Sequence, residues 1–63
     1  MRENKINYIK HKLKVFSTIY NDKNAENRLI HLTNSNLDAM SDRELDNLFN
    51  EVQFYDLMYH TAH

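Results

Sequence analysis

The chain has no cysteine, no glycine and no proline in 63 residues. Without cysteine there is neither a disulfide nor a thiolate zinc site, and no mark of an oxidising compartment. Without glycine the chain lacks the residue that supplies positive φ to tight hairpins and phosphate-cradling loops. That argues against β-hairpin architecture and against P-loop or Rossmann nucleotide sites. Nine asparagines take over turn and cap positions, because asparagine tolerates the left-handed region better than other side chains that carry a Cβ. No apolar run nears the roughly 18 residues of a membrane span. The opening residues also lack a signal peptide's apolar stretch, so the reading is of a soluble cytoplasmic protein without membrane contact.

A length of 63 residues allows one domain spanning 1–63. Chains this short bury only about 60% of the surface their unfolded form exposes, and they commonly need a disulfide, a metal or an oligomer for support. Oligomerisation, or docking on a partner, is what the composition leaves. Net charge is −1 but unevenly spread: Arg2, Lys5, Lys10, Lys12, Lys14 and Lys23 against Glu3 and Asp22 give +4 over residues 1–23. Arg28 and Arg43 against seven acids give −5 over residues 24–63. The halves read as complementary faces within one fold or dimer.

Periodicity predicts helices over about residues 5–20, 23–33 and 42–59. In the first, Ile6, Ile9, Leu13, Phe16 and Tyr20 recur at 3-4-3-4 spacing, which holds them on one side of a 3.6-residue helix. Asn21, Asp22 and Asn24 supply the chemistry that ends it. The second is short, with Ala25, Leu29 and Leu32 on one face, and Thr33-Asn34-Ser35-Asn36 reads as a break because these side chains compete for local backbone hydrogen bonds. The third opens with Ser41 and Glu44 as a capping box, Met40 and Leu45 at the hydrophobic-staple positions, and Asp42 and Glu44 on the positive end of the helix dipole. Leu45, Leu48, Val52, Tyr55 and Tyr59 then repeat at 3-4-3-4.

Beyond Gln53 the pattern changes. Phe54, Tyr55, Leu57, Met58 and Tyr59 fall in a window broken only by Asp56 and point in nearly every direction around a helix. One neighbouring helix cannot cover them all, and clustered exposed aromatics with methionine mark contact surfaces. They are the candidate protein-binding residues, whether the partner is another protein or a second copy. Lys10, Lys12 and Lys14, near Tyr8 and His11, are the alternative, a basic helix lying against nucleic-acid phosphates; a pI near 6.4 falls short of the basic profile expected of such domains. His60 and His63 beside Asp56 invite a metal, but chain ends fray and no third ligand has a fixed position. His11 reads as solvent-facing and His31 as a partly buried structural histidine. Asp42, Glu44 and Asp46 are accounted for by capping and dipole effects without a catalytic pocket. There is no G-x-S-x-G, H-E-x-x-H or cysteine nucleophile, so a non-enzyme with no metal and no cofactor is expected.

The stretch from Ser41-Asp-Arg-Glu-Leu-Asp46 to Gln53 is similar to the motif of the Spo0E-like aspartyl-phosphate phosphatases, helical-hairpin regulators of sporulation, with one residue inserted after the serine. That resemblance implies a role for Asp46 in dephosphorylation. Together with Asn47, Leu48 and Phe49, the stretch also resembles the third helix of the Hha/YmoA family, helical modulators of nucleoid-associated silencers, without that family's aspartate-histidine-arginine signature. The fold expected is all-α: a small antiparallel bundle of two or three helices, the first and last packed through Ile9/Leu13/Phe16 and Leu45/Leu48/Val52, completed by dimerisation or a partner. The function expected is a small regulatory or adaptor protein that binds through its apolar C-terminal helix.

Overall fold

The computed structural model describes residues 2–32 and 34–61. Among these residues every regular element is a helix: α1 (Arg2–Ile19), α2 (Lys23–His31), α3 (Asn34–Ala39) and α4 (Asp42–Thr61). The all-α class is as the periodicity predicts, with one helix more than expected. Of the predicted break, Asn34 and Asn36 lie inside α3, and Thr33 lies outside the described residues.

Each boundary has a local cause. After α1, Asn21 takes φ 55, the left-handed conformation that asparagine accepts more readily than most residues. The Phe16 carbonyl accepts from the amides of Tyr20 at 3.2 Å and Asp22 at 3.0 Å, which closes the turn. Asp22 then caps α2, its carboxylate accepting from the amides of Asn24 at 3.0 Å and Ala25 at 3.2 Å. At the start of α4 the capping box forms as written in the sequence: the Glu44 amide donates to Ser41 Oγ at 3.2 Å, and the Ser41 amide donates to Glu44 Oε1 at 3.4 Å. α3 is only six residues long, too short to stand alone. It is held by fully buried Leu37 and by Arg2, whose guanidinium donates to the carbonyls of Leu37 and Asp38 at 3.1 Å each, to the Met40 carbonyl, and to the Asp42 carboxylate at 2.7 Å. One side chain thus satisfies the free carbonyl end of α3 and ties it to the starts of α1 and α4.

The core is a single cluster of Ile9, Leu13, Phe16, Ala25, Leu37, Leu45 and Val52, flanked by half-buried Leu29, Leu32, Met40, Leu48, Phe49 and Tyr59. α1 is the central rod, packed against both α2 and α4. The residues expected to join α1 and α4 do share this core, but the expected antiparallel direction is wrong. Residue pairs across the seam climb together: Arg2 with Asp42, Lys5 with Asp46, Tyr8 with Phe49, Lys12 with Asp56 and Phe16 with Tyr59. α1 and α4 are therefore parallel. The physical reason is the return path: α2 and α3, at nine and six residues, cover roughly 22 Å of the roughly 27 Å that α1 spans, so they carry the chain back before α4 begins. The bundle runs up, down in two pieces, and up again.

This register explains the uneven charge. Arg2, Lys5 and Lys12 of α1 meet Asp42, Asp46 and Asp56 of α4 across the seam, and the fold absorbs them as pairs. Such half-exposed pairs contribute only about 0–1 kcal/mol each, so they fix direction and register more than they stabilise.

Candidate protein-binding surface

α4 carries two apolar stripes on opposite sides. Leu45, Leu48, Val52 and Tyr59 face the core. Phe54, Leu57 and Met58 lie at i, i+3 and i+4, about half a turn away at 100° per residue, and they are 59%, 62% and 50% exposed. Tyr55 stands beside them at 42% exposure, its ring 6.0 Å from that of Phe54. Four of the five residues expected at a binding surface are thus on the outside. Among the described residues no helix covers them, because α1 packs on the other side of α4.

The fifth is not. Tyr59 is half-buried, its ring stacked on Tyr20 at 4.2 Å and tilted against Phe16 at 4.9 Å. Its hydroxyl donates to Asp22 at 2.6 Å. That hydrogen bond to a carboxylate, with burial second, pushes the Tyr59 hydroxyl up to about 12. The same bond, backed by the capped amides of α2, holds the Asp22 carboxyl below its usual range. Tyr59 belongs to the fold: it pins the end of α4 to the N-terminus of α2.

The lysines of the alternative reading are not a common patch. Lys12 lies on the α1/α4 seam, ion-paired with Asp56 at 3.2 Å, each side chain only 22% exposed, and its ammonium sits 5.7 Å from the Tyr8 ring centroid. Burial and the adjacent Asp56 carboxylate raise the Tyr8 hydroxyl above its ordinary value. Lys14 points to solvent and Lys10 is half-buried. A phosphate backbone approaching α1 would have to compete with Asp56 for Lys12.

The described histidines do not converge. His11 is exposed as expected; His31, expected to be partly buried, is exposed as well, because Leu29 and Leu32 take the inward positions of this segment. His60 is exposed with Nδ1 3.4 Å from the Asp56 carboxylate. His63 lies outside the described residues. Among the described residues no three histidines or acids gather as a metal would require. Asp46, the residue singled out by the phosphatase resemblance, is paired with Lys5. With Asp42 it lines a shallow hollow of about 300 Å³ in which Arg2 and Lys5 are the facing cations.

Sequence reasoning missed the cleft between α2 and α4. Two adjoining hollows, of about 360 and 480 Å³, share Asn27 and Arg28 and run from Asp22 and Tyr55 at one end to Met40 and Glu44 at the other. The cleft exists because α2 turns small and polar residues toward α4, and the Arg28–Glu51 ion pair at 2.6 Å straps it. The run Asn24-Ala25, then Asn27-Arg28, was the signal in the sequence. Tyr55 joins the cleft to the exposed stripe of Phe54 and Met58.

Among the described residues no helix is long and apolar enough to cross a membrane. No protein family, no characterised protein and no solved structure matches this chain. The likeness to the Spo0E-like and Hha/YmoA families therefore rests on the Ser41–Gln53 stretch alone.

Proposed function

We propose that this chain is a small non-enzymatic regulatory or adaptor protein of the cytoplasm, which acts by covering a surface on another protein with the outer face of α4. One observation carries the reading: a second apolar stripe, Phe54, Leu57 and Met58, lies opposite the core-facing stripe of the same helix and is at least half exposed. Single exposed apolar residues are ordinary on protein surfaces, but three at helical spacing beside an exposed tyrosine form a patch of the kind proteins bind through. Aromatic and methionine side chains are also the types enriched at interface centres. The charged residues that would otherwise suggest chemistry are engaged elsewhere, in the Arg2, Lys5 and Lys12 pairs with Asp42, Asp46 and Asp56.

The register determines how this is tested. Truncation after Gln53 would remove Asp56 and Tyr59 with the surface and would loosen the bundle. Substitution on the outer face separates the two. Phe54→Ser, Leu57→Asn and Met58→Gln together are expected to leave helix content and melting temperature within a few degrees of the parent, while removing the complexes found by in-cell crosslinking. Unchanged crosslinked complexes in the well-folded triple variant would refute the proposal.

A further inference from the structure

We propose that the cleft between α2 and α4 docks an amphipathic helix of a partner protein, one that carries lysine or arginine beside its apolar residues. The cleft lies apart from the outer stripe of α4, and the inference stands without the reading given to that stripe.

The shape of the cleft comes from the packing. α2 and α4 each pack on α1 and run in opposite directions. Asp22 meets Tyr59 at one end of the cleft, and Leu32 and Met40 share a hollow with Leu48 at the other. α1 lies beneath, where Leu13 and Phe16 contribute to the floor. From α4 the lining residues are Glu44, Asn47, Leu48, Glu51 and Tyr55. They fall at i, i+3, i+4, i+7 and i+11, on one helical face. At 100° per residue that face lies about a quarter turn from the core-facing stripe, and about a quarter turn from Phe54, Leu57 and Met58. From Glu44 to Tyr55 the cleft is about 17 Å long, three turns of helix.

The form of the occupant follows from that geometry. Both hollows open to solvent, whereas a small-molecule site encloses most of its ligand. An extended peptide would bring unpaired backbone groups into the cleft, and among the described residues there is no strand edge to receive them. A helix bonds its own backbone and needs only apolar anchors. The Leu32/Met40/Leu48 hollow, about 480 Å³, takes one such anchor. The hollow over Leu13, Phe16 and Ala25, about 360 Å³, takes a second. Exposed Asn27 and Asn47 stand on opposite walls as hydrogen-bonding partners for polar side chains.

The charge of the occupant follows from a difference between two sides of α4. On the seam, Asp42, Asp46 and Asp56 are matched one for one by Arg2, Lys5 and Lys12. In the cleft, the carboxylates of Asp22, Glu44 and Glu51 face a single guanidinium, Arg28. The surplus is two negative charges, held along a groove with an apolar floor. A cationic helix complements it, and an anionic one is repelled. Glu44 and Glu51 stand seven residues apart on the same face of α4, so basic residues two turns apart on the partner reach both. Affinity is on the order of 10–100 μM, because the contact is short and partly solvated.

The probe is a designed helical peptide of about 14 residues, with leucines at helical spacing on one face and lysines flanking them; its counterpart has glutamate for every lysine. Titrated into the isotopically labelled full chain, the lysine peptide is expected to shift the amide resonances of Asn27, His31, Asn47 and Glu51. The glutamate peptide binds about tenfold more weakly or not at all. Asn47→Arg, at an exposed position, keeps its helix content and weakens the lysine peptide about tenfold. The triple variant Phe54→Ser, Leu57→Asn, Met58→Gln binds that peptide like the parent. Equal affinity for the two peptides overturns the inference, as does binding by Asn47→Arg equal to the parent. Shifts centred on Phe54, Leu57 and Met58, lost in the triple variant, would place the peptide on the outer stripe and leave the cleft without a role. Hexylammonium that produces the same cleft shifts at the same concentration would assign the cleft to a small amine and overturn the helix.

Discussion

Replacing Tyr59 by phenylalanine removes one oxygen and leaves the ring stacked on Tyr20 and against Phe16. What is lost is the 2.6 Å hydrogen bond to the Asp22 carboxylate. Bonds to charged groups contribute about 1.5–3 kcal/mol, and because both side chains remain partly in water the lower end applies, about 1–1.5 kcal/mol. For a domain of this size that corresponds to a fall of roughly 5–10 °C in melting temperature. The pH dependence carries a second signature. The Tyr59 hydroxyl is held up to about 12, above its unfolded value, so its contribution is complete below about pH 10 and is lost as pH rises toward 12. Asp22 is held below its usual value, so its contribution is present above about pH 4 and is lost as pH falls further. Thermal melts of parent and Tyr59→Phe at pH 7, 9, 10 and 11 are the assay. The two curves converge as pH rises, since the variant has no phenol at this position to ionise. Tyr55→Phe, on the exposed face, serves as control and changes stability by less than about 0.5 kcal/mol. Equal melting temperatures for parent and Tyr59→Phe at pH 7, or a gap that widens between pH 10 and 11, would refute the assigned role.

Arg2→Ala leaves the carbonyl end of α3 and Asp42 without their shared donor; a loss of about 1–2 kcal/mol is expected from denaturant titration, and Arg2→Lys restores less than half, because an ammonium cannot span the same acceptors. Ser41→Ala removes the cap of α4 and costs about 1 kcal/mol in the same measurement; no change would mean that the capping box forms without contributing to stability. Lys12→Gln weakens the seam by less than about 1 kcal/mol, and the parent shows no salt-sensitive retention on immobilised DNA; retention that Lys12→Gln abolishes would favour the nucleic-acid reading.

The helices themselves were legible because their apolar residues repeat at 3 and 4, and the Ser41/Glu44 box because capping is local chemistry. α3 was not. Asn34, Ser35 and Asn36 favour caps and turns over helix interiors, and six residues become helical here only because Leu37 is buried and Arg2 reaches across from the other end of the chain. The direction of α4 relative to α1 was available in principle from the length of the segment between them, but depended on that segment travelling the full height of α1. At the surface, the excess of apolar residues after Gln53 was visible, and its division was not. Tyr59 sits one position from Met58, yet its role is fixed by where Asp22, Phe16 and Tyr20 finish in space. The α2/α4 cleft likewise needed the register that sets Ala25 and Asn27 toward α4.

The central claim is that Phe54, Leu57 and Met58 belong to a contact surface and not to the core. Its most direct test is the free energy of unfolding of the triple variant Phe54→Ser, Leu57→Asn, Met58→Gln, measured at low concentration and paired with in-cell crosslinking through a photoreactive group at position 50. Stability within about 1 kcal/mol of the parent, together with loss of the crosslinked complexes, is the result expected. A loss of about 3 kcal/mol or more, the scale of emptied core positions, or crosslinked complexes that persist unchanged would contradict it.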